Sequence, residues 1–189
     1  MRKIKRQNKK AALEMSISTV VVLVIGMAML ILGLVLVRSI FSGAKYNVDK
    51  INEGVESEIN KLFDEEGGKN VIIYLQKQEA KITKGEGYGI AFGITNTVRG
   101  ESEASTFTYE FKSTSVQQGC SGLDTAKADQ YLILGKTGSV TLLPGSKPYY
   151  DTVKIFPPDT APLCEIRYVL EVKRNGQPYS SVPFTVVLQ

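Results

Sequence analysis

The feature that most constrains this chain is an unbroken apolar segment near its amino terminus. Residues 15–37 read MSISTVVVLVIGMAMLILGLVLV, 23 residues without a charge, bounded by Glu14 and Arg38. As an α-helix this segment is about 34 Å long, enough to cross a hydrocarbon core of about 30 Å. A soluble helix that is apolar on every side would need a much larger protein around it than the remaining chain provides. We therefore expect a single transmembrane helix.

The positive charges lie mainly on one side of this segment. The first ten residues contain six basic side chains and no acid, whereas basic and acidic residues are mixed after Arg38. Because Lys and Arg beside a first span stay in the cytoplasm, we expect a cell-membrane protein with a cytoplasmic amino terminus, an extracellular carboxyl-terminal domain and membrane lipid as a partner. A cleaved secretory signal is the alternative, since Ser42-Gly43-Ala44 fits a cleavage site, although the apolar region of such signals runs about 7–15 residues.

The residue types present exclude most enzyme chemistry. The 189-residue chain has no His and no Trp, so Ser-His-Asp and Cys-His catalysis and His-ligated zinc are excluded. No nucleotide-binding glycine motif occurs, and Asp64-Glu65-Glu66 lacks the spacing of a calcium loop. Beyond the first ten residues the chain carries 17 basic and 19 acidic residues, which does not suggest nucleic-acid binding. We expect no enzyme, cofactor or metal, with a carboxylate-only glycosidase as the alternative class.

The residues just before the apolar segment carry a recognisable pattern. Residues 9–16 read KKAALEMS: basic residues, two alanines, an acid and then the span. This pattern resembles the class III signal of archaeal type IV pilins and related surface proteins. The resemblance implies cleavage by a prepilin-type peptidase between Ala11 and Ala12, and it implies that Glu14 compensates the new amino terminus of a neighbouring subunit. Pilins more often have Gly before the cut and the acid at the fifth mature position, where this chain has Ala and the third.

The apolar segment also contains small residues that favour helix packing. Gly26, Ala28 and Gly33 would let neighbouring helices approach closely, although no Gly-x-x-x-Gly motif is present. We therefore predict a homo-oligomer or filament assembled through the amino-terminal helix. The alternative is an ordinary uncleaved anchor, in which Glu14 lies at the cytoplasmic interface and reaches water.

Beyond the span, apolar residues recur every three or four positions, which predicts a helical stalk over residues 42–68 that continues the span and ends at Gly67-Gly68. This apolar stripe packs either against neighbouring copies or against the protein's own β body, and we favour the latter for part of it. Its members are Phe41, Ala44, Val48, Ile51, Val55, Ile59 and Leu62.

The periodicity changes from helical to two after the double glycine, which indicates strands. Ile90, Phe92 and Ile94 share one face of a strand, and Phe107, Tyr109 and Phe111 share one face of another; further candidates are 71–75, 131–134, 140–143, 152–156, 165–172 and 181–188. Asn175-Gly176 between the last two predicts a type I′ hairpin. Because no long helical pattern separates the strands, we expect an antiparallel sandwich. The pattern over residues 80–189 resembles immunoglobulin-like domains, without their central Trp and Tyr-x-Cys corner.

Two cysteines complete the chemistry of the chain. Cys120 lies in a polar loop and Cys164 begins a predicted strand. Outside the cell two cysteines in one small domain most simply pair, so we predict a Cys120–Cys164 disulfide. Two free thiols would fit a cytosolic domain instead.

These features divide the chain into four parts. Residues 1–11 form a basic cytoplasmic tail or leader, 12–41 the transmembrane helix, 42–68 the amphipathic stalk and 69–189 the extracytoplasmic all-β antiparallel Ig-like sandwich. The predicted function is that of a non-enzymatic, membrane-anchored cell-surface protein, a type IV pilin-like structural subunit. The alternative is an uncleaved single-pass binding or adhesion module with an Ig-like ectodomain.

Overall fold

A computed structural model describes residues 17–44, 48, 51–65, 67–98, 100 and 102–189, with side chains of the first helix described from 19 to 35. The chain divides into two compact units, residues 1–42 and 43–189. Helix α1, Ile17–Ala44, is 28 residues long, and all but its last two residues belong to the first unit. Across the residues described, none of the helices combines the length and apolar character that a bilayer crossing requires.

The second unit is built mainly from two β-sheets. The four-stranded sheet has the order β1-β3-β7-β5 and the five-stranded sheet the order β2-β9-β8-β4-β6. Beside them the described residues form two short α-helices, α2 at Glu53–Glu65 and α3 at Thr125–Gln130, and a 3-10 turn at Gln76–Gln78. The strands are β1 Val71–Ile73, β2 Glu79–Ile82, β3 Tyr88–Ile94, β4 Ser105–Val116, β5 Leu132–Leu134, β6 Thr137–Leu142, β7 Tyr149–Ile155, β8 Glu165–Arg174 and β9 Gln177–Leu188.

The core lies between the two sheets and follows the predicted alternation. In β4, Phe107, Tyr109 and Phe111 are buried while the residues between them face water. Across the core, the ring of Phe92 lies 4.9 Å from Tyr109 and 5.1 Å from Phe111, both edge to face. Such aromatic pairs contribute beyond the area that they bury. The alternating pattern therefore identified the inward faces correctly.

The hairpin between β8 and β9 is confirmed. Asn175 and Gly176 have φ values of 50° and 81°, the two positive angles that a type I′ turn needs. The side chain of Asn175 also accepts a hydrogen bond from the backbone N–H of Thr106 at 2.9 Å, so the turn is tied to β4.

One strand that the sequence did not predict makes the sandwich mixed rather than purely antiparallel. β2 pairs in parallel with β9, from Glu79 opposite Thr185 to Ile82 opposite Leu188. The chain reaches β2 by passing from the four-stranded to the five-stranded sheet after β1. Lys77 and Gln78, with φ of 54° and 56°, make this change of direction. The expectation of an all-antiparallel sandwich is therefore wrong at this edge.

The predicted helical stalk is also interrupted. Val48 lies outside any helix, is buried, and donates its backbone N–H to the carbonyl of Gly89 at 2.8 Å. α2 then begins after Asn52, whose side-chain oxygen accepts from the N–H of Val55 at 3.0 Å and caps the helix. Because Val48 is docked on β3, the helical stripe cannot continue unbroken from the span into α2.

α2 packs against the outer face of the four-stranded sheet. Ile59 is fully buried there, and a Cβ at Gly93 would lie only 2.8 Å from its side chain. Asn60 accepts a hydrogen bond from the Tyr150 hydroxyl at 2.6 Å on the same face. The interpretation that part of the apolar stripe covers the protein's own body is therefore confirmed for α2; the side chains of Phe41 and Ala44 lie outside the described residues.

Replacing Ile59 by Ala tests this packing. Because the side chain is buried against the sheet, we expect Ile59→Ala to lower the free energy of unfolding by about 2–5 kcal/mol, measured by urea denaturation of the full chain in mild detergent. Ser57→Ala, at an exposed position of the same helix, should change it by less than about 0.5 kcal/mol. Equal effects of the two substitutions would contradict the packing.

Candidate functional site

The described side chains of α1 form an uninterrupted apolar surface. Every side chain from position 19 to 35 is exposed, including Val22 and Met29 at 69%. Gly26 and Gly33 are seven residues apart and so lie on nearly the same face, and a Cβ at either would meet no atom within 4 Å. This surface can contact lipid or other apolar helices. Close packing at Gly26 and Gly33 stays a prediction.

The residues predicted to be processed cannot be placed. Ala11, Ala12 and Glu14 lie outside the described residues. Their assignment as cleavage site and acidic assembly residue therefore rests on the sequence pattern alone.

The predicted disulfide is present. Cys120 and Cys164 are bonded, with 6.0 Å between their Cα atoms. Cys164 is buried directly before β8, and Cys120 lies in the loop after β4. Two hydrogen bonds hold this loop to the start of β8: Gln117 N–H donates to the Glu165 carbonyl at 2.9 Å, and Glu165 N–H donates to the Gln117 side chain at 3.2 Å. The covalent bond thus fixes one end of the five-stranded sheet.

Removal of the disulfide should destabilise the body strongly. Closing a loop of about 45 residues contributes about 4 kcal/mol in the chain-entropy account, so we expect Cys120→Ala with Cys164→Ala to lower the free energy of unfolding by up to that amount. Denaturation of the native and the double variant measures this loss. Thiol alkylation of the unsubstituted chain in denaturant is the control. No thiol should react until a reductant is added, and reaction without reductant would contradict the disulfide.

A tyrosine–aspartate cluster joins the two sheets at the side of the sandwich. The hydroxyls of Tyr109 on β4 and Tyr149 on β7 both donate to the same carboxylate oxygen of Asp151, each at 2.7 Å. The other oxygen of Asp151 accepts the backbone N–H of Thr152 at 2.7 Å. Gly138 is required beside this cluster, because a Cβ there would lie 2.4 Å from the Tyr109 ring.

This arrangement explains the chemistry of the two phenols. Burial, followed by the hydrogen bond to the Asp151 carboxylate, raises the pKa of both Tyr109 and Tyr149 above the ordinary value. A neutral phenol that donates to a carboxylate makes a strong, charge-assisted hydrogen bond. The bond from Tyr109 joins the two sheets, whereas Tyr149 and Asp151 both belong to β7. The sequence analysis did not single out Asp151. The available signal was an acid that directly follows two tyrosines at the start of β7.

The raised pKa values predict loss of stability in alkali. The unfolded chain releases phenol protons near pH 10 while the folded chain keeps them, so the free energy of unfolding falls as the pH rises past about 10. Tyr109→Phe should flatten this decline by up to about 1.4 kcal/mol per pH unit. Phe111→Leu, which alters an equally buried ring without a phenol, should lower stability and leave the alkaline slope intact. A slope unchanged in Tyr109→Phe would refute the assignment; denaturation at several pH values measures it.

The sequence left open a carboxylate-only enzyme, and one pair of acids bears on it. Glu110 and Glu171 lie opposite each other on β4 and β8, beside a cleft of about 190 Å³ on the outer face of the sheet. Lys112 binds Glu171 at 2.8 Å. Elsewhere in the described part of the chain, no group of three or more Cys, Asp or Glu is placed to hold a metal ion. Glu110 and Glu171 are like charges directly opposite each other, and the ion pair of Glu171 with Lys112 offsets their repulsion.

Comparison with known proteins gives only remote structural likenesses. The sequence matches no protein family and no curated protein. Among solved structures, a family 123 glycoside hydrolase from Clostridium perfringens is 9% identical with a TM-score of 0.42, over 70% of this chain and 24% of that one. The class 5 fimbriae chaperone CfaA is 12% identical with a TM-score of 0.33, over 63% and 55%. A cohesin module from a Clostridium perfringens family 33 glycoside hydrolase is 13% identical with a TM-score of 0.32, over 64% and 97%.

The match thus spans about a quarter of the length of the glycoside hydrolase and about half of the length of the chaperone. Likeness at this level supports no inference about activity, substrate or partner.

Proposed function

We propose that this chain is a non-enzymatic, membrane-anchored cell-surface protein, a type IV pilin-like structural subunit whose β body lies outside the cell. The observation that carries the proposal is the uncharged segment 15–37 behind six basic residues. Such a segment is long enough to cross a bilayer, and the basic flank favours a cytoplasmic amino terminus. The proposal of a membrane-spanning helix rests on the sequence. The exposed apolar side chains of α1 support it.

The Cys120–Cys164 bond supports an extracytoplasmic body. Structural disulfides form and persist in oxidising compartments and are rare where thiols are kept reduced. The bond and the basic flank are independent features of the chain, and both favour export of the carboxyl-terminal part.

Pilin-like assembly would use α1 and the residues before it. A prepilin-type peptidase would cut between Ala11 and Ala12 and leave the apolar helix on the mature protein. The helices of several copies would then pack through faces that include Gly26 and Gly33, because small residues allow close approach. Glu14 would lie near the new amino terminus of a neighbour, where opposite charges attract.

A second candidate is an uncleaved single-pass binding or adhesion module with an Ig-like ectodomain. The strand order supports it: β1-β3-β7-β5 corresponds to the A-B-E-D sheet of Ig domains, and β9-β8-β4 to their G-F-C strands. The order along the chain differs, since β5 precedes β6, and the disulfide does not join the two sheets as it does in antibodies. In such a module the loops at one end of the sandwich would bind a protein or a glycan.

The mass of the mature amino terminus tests the proposal. We expect membrane-bound chain to lack its first eleven residues and to begin at Ala12. Ala11→Gly should still be cut, because the resemblance implies a small residue before the cut, whereas Ala11→Leu should accumulate with the leader attached. An intact Met1 in the native chain and in both variants would support the uncleaved module instead. Chain that is freely soluble without detergent would overturn both candidates.

A further inference from the structure

β6 is an edge strand with an open side. Within the part of the chain that the structure describes, β6 pairs with β4 alone, from Thr137 opposite Glu110 to Leu142 opposite Ser105. Its six residues read TGSVTL and contain neither a charge nor a proline. Proteins normally protect an exposed strand edge with charge, proline, a bulge or a covering element, because unpaired backbone groups there can pair with another strand.

The other three edges of the sandwich are protected. β1 and β5 are only three residues long, which leaves few backbone groups to pair. β2 has four residues, and its exposed Glu79 and Lys81 lie 3.9 Å apart as an ion pair. Of the described edges, β6 therefore combines the greatest length with the absence of charge.

The residues of β6 are complementary to the same residues read in the opposite direction. A two-fold axis at Ser139 would place Thr137 opposite Thr141 and Gly138 opposite Val140 of a second strand. The threonines and Ser139 are exposed and would share the outer face, where Thr–Thr and Thr–Ser pairs are favourable cross-strand neighbours. On the inner face Val140 of one copy would lie beside Gly138 of the other, where the Tyr109 ring covers the glycine. A strand with charges of one sign would instead oppose like charges.

We infer that β6 is a self-association surface, on which a second copy of this chain pairs its own β6 antiparallel. The two five-stranded sheets become one ten-stranded sheet with two-fold symmetry, an isologous contact in which the same residues meet. The occupant is a second copy because the charge-free, self-complementary order of side chains fits this strand to itself.

The size of the contact determines where it forms. Five paired residues extend about 17 Å along the strand, and such a contact buries less than the roughly 800 Å² per partner of standard interfaces. The pairing is therefore weak between free molecules in dilute solution. Its strength, though not its geometry, rests on the proposed membrane anchoring, because confinement of copies in one bilayer raises their effective concentration.

Single engineered cysteines test the pairing in the full-length chain reconstituted in phosphatidylcholine vesicles. Both native cysteines are bonded, so each variant has one free thiol. In Ser139→Cys the two-fold axis brings the new thiols of two copies face to face. Thr108→Cys is the matched control: Thr108 is exposed on the same sheet face and pairs with Ser139 on the neighbouring strand. Across the joined sheet two copies of position 108 are three strand spacings apart, about 14 Å, too far for a disulfide.

Mild oxidation followed by non-reducing electrophoresis measures the fraction of chain in disulfide-linked dimers. We expect the dimer fraction in Ser139→Cys to exceed that in Thr108→Cys by at least about tenfold, because only the former satisfies disulfide geometry. Equal dimer fractions in the two variants would overturn the inference.

A charge provides the second test. For this test, two copies of the chain carry a label at an engineered Thr141→Cys. Ser139→Lys places like charges on the two-fold axis, so the labels of the two copies should no longer lie close together. Thr108→Lys should leave the distance between the labels unchanged. Circular dichroism checks that both variants keep the fold. Unaltered proximity in Ser139→Lys would refute the contact.

Anchoring is scored separately, by sedimentation of the chain with the vesicles. If the chain does not sediment, the proposed function fails, and the same cysteine variants are read in concentrated solution. In solution, a larger dimer fraction in Ser139→Cys than in Thr108→Cys supports the β6 contact. Equal dimer fractions overturn it.

Discussion

The burial of β3 on both faces is the constraint on which the rest of the body depends. All seven residues of Tyr88–Ile94 are buried. One face packs into the sandwich, so the other must be covered by something outside the two sheets, and α2 covers it. Glycines make the covering possible: a Cβ at Gly89 would lie 1.8 Å from the Val48 carbonyl oxygen, and Gly93 admits Ile59 and Phe63. Val48, which precedes α2, is buried outside any helix and donates its backbone N–H to the Gly89 carbonyl of β3.

The sequence predicted features that depend on local periodicity and turn chemistry. The inward faces of β3 and β4 followed from alternation, and the hairpin at Asn175 followed from the positive φ that Asn-Gly tolerates. The break before α2 was not predictable in this way, because a 3.6-residue stripe is the same whether or not an intervening residue such as Val48 pairs with a strand. β2 was missed although Glu79–Ile82 alternates polar and apolar residues, because two repeats are too few to distinguish a strand from a loop.

The candidate site was less predictable because it depends on register between distant strands. Tyr109 and Asp151 are 42 residues apart and meet only because β4 and β7 belong to facing sheets. Gly138 must oppose Tyr109 for the ring to fit, which the pairing of β4 with β6 determines. The disulfide was predictable, since the chain has only two cysteines and no pairing had to be chosen.

The route of the chain between the sheets explains how the sandwich is closed and where it stays open. The chain passes from the four-stranded to the five-stranded sheet at both lateral sides, from β1 to β2 and from β5 to β6. Each passage uses left-handed backbone, at Lys77 and Gln78 on one side and at Gly135 on the other. A Cβ at Gly135 would lie 2.3 Å from the Thr152 carbonyl oxygen, so the second passage requires glycine. Residues of both passages hydrogen-bond to the sheets: Leu75 N–H donates to the Ile73 carbonyl at 2.9 Å, and the Lys136 carbonyl accepts from Phe111 N–H at 2.8 Å. The outer side of each edge strand depends on the strand's own length and charge for protection. This protection is weakest at β6, the longest and the only uncharged one longer than three residues among the described edge strands.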